Sequence, residues 1–243
     1  MELTMPKWLV AQLNTHRCFS RNSASSRAIP LRKMREQVLD NPYIPSAFPA
    51  NQKGMEGGEP LTGIEARIAT EAWEMSLRDA AFQHEVLEKL GVHKEVANRL
   101  LEPFMWTKVV LTGTDWGNFF ALRLPGAGAQ HEMGKLAVAM KEAMVASDPK
   151  RLHPGQWHLP YAETSNDVLF DSDAMARSVA RCARVSYMNH GKDTTIEQDH
   201  GLVERLRESG HWSPFEHQAK AMDCEARSRN FRGWHQYRQM IDD

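Results

Sequence analysis

Cysteine is scarce: Cys18, Cys182 and Cys224 are the three in 243 residues. An odd count without CxxC spacing argues against a disulfide framework and favours a reducing compartment. Long apolar runs are missing as well, and no window approaches the roughly 18 residues that mark a membrane-spanning helix. The opening MELTMPKWLVAQ carries an early Glu2 and no apolar stretch behind a basic one, so no signal peptide is expected. Net charge is almost absent: Lys+Arg 30 against Asp+Glu 31 leaves −1, and no overall field draws the chain to nucleic acid or membrane. Neither GxGxxG nor GxxxxGK[ST] occurs. His153, His158, His211 and His217 lack the partner cysteines or HExxH spacing of zinc sites, so no metal is expected. Internal repeats and low-complexity tracts are missing too.

What remains is ordinary globular material. The apolar fraction is 42%, and the 15 glycines lift it to about 48%, enough for one sizeable core. At about 150 residues per domain, the length suggests a single domain. Its sequence blocks 1–146 and 171–243 would be joined by a Pro-rich linker at about 147–170. Thr4 and Pro6 predict a short helix running through Trp8, Val10 and Leu13. His16–Pro30 is turn-prone, and 41–63 reads as a long irregular loop. Helical spacing predicts Ile64–Leu90, closed by Gly91, and a second helix over Ala129–Ala146. Lys108–Thr112 reads as a strand, and Gln218–Cys224 as another. Further helices are expected over Asp173–Ala183, Glu197–Glu208 and from Asn230 through Tyr237. The fold class is therefore mixed α/β (α+β) with a helical majority.

Charge is concentrated locally. Lys7, Arg17, Arg21, Arg27, Arg32, Lys33 and Arg35 follow one another with no acid between, interleaved with Ser20, Asn22, Ser23, Ser25 and Ser26. Guanidinium groups, hydroxyls and backbone N–H groups together can cradle an anion. The same stretch also suits a solvated basic surface. A second acid-free stretch, Ala226–Ile241, carries Arg227, Arg229, Arg232 and Arg238. The footprint is too narrow for nucleic acid and fits a small phosphorylated ligand better. Cys18 beside Arg17 matches no nucleophile motif, and GAGAQ (Gly126–Gln130) is a short glycine turn ahead of a helix. From the residues alone, the reading stops at an anion-binding enzyme.

THRCFSRNSASSR (Thr15–Arg27) resembles the R-H-R-x-x-S-x-N-E-x-S-x-R-Y signature of flavin-dependent thymidylate synthases, with matches at His16, Arg17, Ser20, Asn22, Ser25 and Arg27. NFFALR (Asn118–Arg123) with AQHE (Ala129–Glu132), CARVSY (Cys182–Tyr187) and GHWSPFEH (Gly210–His217) are similar to three further blocks of that family. The family normally runs ARVSY, SPFEH, the RHR-type motif, then the LR and AQxE blocks. Here the RHR-type motif and the two blocks after it come first, so the order resembles a circular permutation, which proteins tolerate when the joined ends lie close together at the surface. FRGWHQYR, after SPFEH, then reads as a second copy of the helix that precedes the RHR-type motif.

The resemblance implies a mixed sheet with long helices in permuted order, assembled as a homotetramer with shared active sites. It implies FAD as cofactor, NADPH and methylene-tetrahydrofolate as co-substrates, and dUMP or a related deoxypyrimidine monophosphate as substrate. His16, Arg17, Asn22, Asn118, His211, Ser213 and Glu216 would contact FAD. Gln12, Ser23, Ser25, Ser26, Arg27 and Arg99 would hold dUMP together with Arg123, which would polarise the pyrimidine and stabilise enolate charge. Flavin would supply the hydride chemistry that no side chain performs. A cytoplasmic enzyme is implied, of the kind a phage supplies inside its bacterial host, with no membrane or nucleic-acid partner. Thr15, Ser23 and Ala28 replace the motif's first Arg, its Glu and its Tyr, and one extra residue lies between Arg123 and Gln130. These departures keep open a hydroxymethylase acting on the same substrate class, or a non-catalytic nucleotide- or nucleic-acid-binding protein. Arg238 is a candidate to replace the missing guanidinium.

Overall fold

The structure, a computed structural model, describes residues 1–162, 170–187 and 193–242. In chain order its elements are β1 (Glu2–Pro6), α1 (Val10–Leu13), β2 (Ser20–Ser23), α2 (Leu31–Asp40), α3 (Gly63–Lys89), α4 (Lys94–Ala97), β3 (Trp106–Thr112), α5 (Gly117–Arg123), α6 (His131–Ala146) and β4 (Trp157–His158). The second block adds α7 (Ser172–Arg184), α8 (Ile196–Glu208), β5 (Ala219–Ala221), β6 (Arg227–Ser228), β7 (Phe231–Arg232), β8 (Trp234–Gln236) and α9 (Tyr237–Asp242). Short 3-10 segments lie at Lys7–Leu9, Ser26–Ala28, Asn98–Phe104, Val185–Tyr187 and Ser213–Glu216.

The site is positioned by an antiparallel sheet of order β1-β3-β2, with Thr4 opposite Lys108 and Asn22 opposite Val110. Side chains alternate across β3, so its two faces take different partners. Val109 and Leu111 pack with Leu9, Leu13, Phe119, Met133 and Met140, which brings α1, α5 and α6 onto one face. Val110 packs with Cys182 and Val185, which brings the end of α7 onto the other. The two sequence blocks thus meet across the sheet. A separate apolar cluster joins Met34 and Val38 of α2, Leu77 and Ala81 of α3, and Leu101 with Phe104.

Helix α7 begins where the Asp171 carboxylate accepts the N–H groups of Asp173 and Ala174. Helix α8 begins with a reciprocal capping box between Thr195 and Gln198. Asp199, fully buried, holds the two helices together by accepting Arg184 at 2.5 Å and Arg177 at 3.4 Å. Helix α3 ends at Gly91, whose φ of 76° is the left-handed conformation that glycine adopts most readily. It buries Leu77, Ala81 and His84 but leaves Ile64, Ile68, Met75 and Phe82 more than half exposed. None of the described helices is long and apolar enough to cross a membrane.

Several expectations are corrected. Thr4 and Pro6 belong to β1, and the helical turn starts only at Lys7. Proline is as acceptable at the end of an edge strand as in a first helical turn, and pairing with Trp106 decides between them. The turn-prone stretch contains β2, and α2 follows it without having been anticipated. The expected helix from Asn230 is instead β7 and β8, with helix only from Tyr237. Gly233, at φ 74°, turns the chain there, and β8 pairs with β5. FRGWHQYR is therefore not a second copy of the helix. Of the expected linker, residues 147–162 and 170 are irregular apart from β4, and 163–169 lie outside the described residues.

Candidate active site

The four sequence blocks that resemble one family are brought together around residues 12–27. Arg123, at the C-terminal end of α5, donates from Nε to His16 Nε2 at 2.9 Å and from Nη2 to Thr15 Oγ1 at 3.4 Å. Thr15 Oγ1 in turn donates to Gln12 O at 2.7 Å, and Gln12 Nε2 donates to Gln130 Oε1 at the start of α6. The guanidinium beside Thr15 is thus Arg123's own. His16 is buried against Phe119, with ring centroids 5.0 Å apart. Burial lowers its pKa, and the neighbouring Arg123 lowers it further. A neutral imidazole that accepts at Nε2 carries its proton on Nδ1, so it orients the guanidinium without competing for charge. Nη1 of Arg123 has no hydrogen-bond partner among the described residues.

The second cluster surrounds the turn after β2. Ser25 N donates to Ser186 O at 3.0 Å, and Asn22 Nδ2 donates to Cys182 O at 3.3 Å, so the CARVSY block braces this strand directly. Ser26 is buried and donates to Glu102 Oε1 at 2.6 Å, and Arg99 Nη1 donates to the same oxygen at 2.7 Å. A buried relay holds the turn from below. Arg35 can only donate, so its contact with His84 Nδ1 at 3.3 Å leaves His84 Nε2–H to donate to Asn98 Oδ1 at 2.9 Å. Asn98 Nδ2 then donates to Ser26 O at 2.8 Å and Ile29 O at 2.9 Å.

The GHWSPFEH block forms the third. Gln236 Nε2 donates to Ser20 Oγ at 3.1 Å and to Glu216 O at 3.1 Å, tying β8 and the Ser213–Glu216 turn to β2. Glu216 forms an ion pair with Arg238, so Arg238 is engaged here rather than at Thr15. His217 is fully buried, with Nδ1 2.9 Å from Thr112 Oγ1 and Nε2 without a partner among the described residues. Burial drives its pKa down to about 3.

Of the residues expected to act, Gln12, His16 and Arg123 share one cluster, Ser26 and Arg99 a second, and Glu216 lies in a third. Arg17, Arg27, Asn118, His211 and Ser213 are exposed, and Ser23 and Ser25 are half-buried. His211 Nδ1 lies 2.7 Å from Ser209 Oγ. Within one chain, no hydrogen bond among the described residues joins Arg27, Arg123 and His211 to one another. Sequence reading counted Lys7 only among the local cations and did not single out Glu102, Asn98 or Gln130, although the AQHE match contained the last.

A family model described as thymidylate synthase complementing protein matches residues 1–150. Comparison with curated protein sequences finds no match. Among solved structures, the UMP/dUMP methylase PolB from Streptomyces cacaoi bound with 5-Br UMP aligns at 18% identity and TM-score 0.49, over 59% of this chain and 66% of that one. The same methylase bound with 5-Br dUMP aligns at 18% identity and TM-score 0.46, over 59% of this chain and 65% of that one. In both cases the chain spans slightly less than two thirds of its neighbour.

Proposed function

The chain belongs to the thymidylate synthase complementing protein family, and from that premise we propose that it is a flavin-dependent thymidylate synthase. It would transfer a one-carbon unit from methylene-tetrahydrofolate to dUMP and reduce it, with NADPH as reductant. One observation carries this reading: of the three other blocks that resemble the family, NFFALR–AQHE and CARVSY bond to residues 12–27 directly, and GHWSPFEH reaches them through Gln236.

The donor set suits FAD. Exposed Arg17, Arg27, Asn118, His211 and Ser213 offer cationic and polar groups for a diphosphate and for the edge of a flavin ring, and neutral His16 lies beside Arg123. His16, Arg17, Asn118, His211 and Ser213 would hold the cofactor, with Glu216 kept in place by Arg238. Bound flavin would supply hydride chemistry. Asn22, buried with its amide on Cys182 O, would act by fixing β2 beneath it.

Gln12, Ser23, Ser25, Ser26, Arg27 and Arg99 would hold the nucleotide. Arg123 would direct Nη1 at a pyrimidine carbonyl oxygen, where a fixed cation stabilises the negative charge that develops as the ring attacks the one-carbon unit. Because its guanidinium is already oriented by His16 and Thr15, little reorganisation accompanies that step. Separate clusters in one chain suit shared active sites, and a homotetramer would also cover the exposed apolar face of α3.

Incubating purified protein with FAD, dUMP, methylene-tetrahydrofolate and NADPH, followed by mass spectrometry of the nucleotide, tests the reading. The expected product is dTMP from a yellow protein. A hydroxymethylated nucleotide would assign the alternative suggested by the departures at Thr15, Ser23 and Ala28. Unchanged dUMP with a colourless protein would overturn the reading.

A further inference from the structure

A 3-10 turn has about three residues per turn, so positions three apart lie on one edge. Over Asn98–Phe104 this aligns Arg99 with Glu102. The Glu102 Oε1 atom accepts both the Arg99 guanidinium at 2.7 Å and the buried Ser26 hydroxyl at 2.6 Å. Lys7 approaches the same place from the turn after β1, with Nζ held on Ala24 O at 2.7 Å. Its backbone N–H donates to Met105 O at 2.9 Å, just past the Asn98–Phe104 turn, and its burial lowers the ammonium pKa while Glu102 raises it. The Arg99 guanidinium and the Ser26 hydroxyl thus meet on one carboxylate, with Lys7 on the neighbouring Ala24 carbonyl and exposed Arg27 adjoining Ser26.

These are the donors that would grip a phosphate. We propose that Glu102 is a displaceable stand-in for the phosphate of a nucleoside monophosphate, and that Lys7 is a further phosphate-binding residue. This rests on the nucleotide reading above and adds to it how the anion seat discriminates. Without ligand, Glu102 pairs with Arg99 and satisfies Ser26. An arriving phosphate brings nearly two negative charges and three acceptor oxygens, so it outcompetes one carboxylate. A nucleoside without phosphate offers nothing in exchange and leaves Glu102 in place. The half-exposed Arg99 side chain, 53% accessible, has room to turn from one anion to the other.

Calorimetry on the FAD-saturated full chain tests this with dUMP and with deoxyuridine as ligands. Glu102→Gln keeps the shape and a carbonyl acceptor but removes the charge, and it is expected to bind dUMP about three- to tenfold tighter with deoxyuridine unchanged. Lys7→Met is expected to bind dUMP about tenfold more weakly, again with deoxyuridine unchanged. Weaker or equal dUMP binding by Glu102→Gln would overturn the proposal and make Glu102 an orienting partner of Arg99. If the unsubstituted protein binds no dUMP, the nucleotide reading falls, and this inference with it.

Discussion

Arg123 and His16 lie 107 positions apart and share a 2.9 Å hydrogen bond in which the neutral imidazole accepts. Removing the guanidinium should therefore alter both chemistry and titration. Arg123→Ala is expected to lower kcat about 10²–10³-fold, as when one preorganised donor is lost. The His16 pKa should rise, because one of the two influences that depress it is gone while burial remains. Steady-state kinetics and imidazole NMR titration check the two effects separately. Arg123→Lys should recover part of the pKa depression but little of kcat, since Lys lacks the planar fork.

His217 links stability to acidity. Its pKa is about 3 in the fold, against about 6.5 unfolded, so below pH 6.5 the unfolded chain takes up a proton that the native chain refuses. Stability contributed by the neutral ring is fully present above about pH 6.5 and falls as pH drops towards 3. At pH 5 the loss from this residue is about 2 kcal/mol. His217→Asn, which can still meet Thr112, should flatten this slope in urea denaturation compared at pH 7.5 and pH 5.

The relay from Arg35 through His84 to Asn98 ends on two backbone carbonyls of the turn that presents Arg27. Asn98→Ala leaves His84 Nε2–H and Ile29 O unpartnered in a buried place, while Ser26 O keeps the Ile29 N–H at 3.2 Å. Unmet buried groups cost about 1–3 kcal/mol each, so a loss of about 2–3 kcal/mol is expected in chemical denaturation. On the proposed function, in which this turn holds dUMP, KM should rise more than kcat falls. His84→Phe, which keeps the ring volume but not the relay, should shift KM in the same direction.

The outer face of α3 carries Ile68 at 56%, Met75 at 62% and Phe82 at 63% exposure. Under the proposed tetramer this row is the surface that a neighbouring copy would cover. Phe82→Glu is expected to lower the mass seen by analytical ultracentrifugation while leaving the circular dichroism of the chain intact. An unchanged oligomer would remove this face from the assembly.

The long helices were legible because their apolar spacing and their stops are local: α3 ends on Gly91 and α6 follows a glycine turn. Strand β2 was hidden because Ser-Arg-Asn-Ser contains no β-branched or aromatic residue, and its conformation comes from pairing with Thr112–Val109. The C-terminal segment was misread for the same kind of reason, since β8 is strand only through its register with Ala219–Ala221. Motif residues such as His16, Asn22 and Arg123 were recognisable one by one. The meeting of Ser26 with Glu102 was not, because 76 positions separate them and neither residue alone signals the other.

Ser20 and Gln236 are joined by one hydrogen bond across 216 positions. During synthesis β2 therefore emerges long before one of its braces exists, and loops this long close late. Helices α3 and α6 can form from their own neighbourhoods, but β2 lacks this brace until residue 236 has been made. Nascent chains halted before that point should collapse yet remain unable to retain dUMP, so binding competence would lag behind compaction.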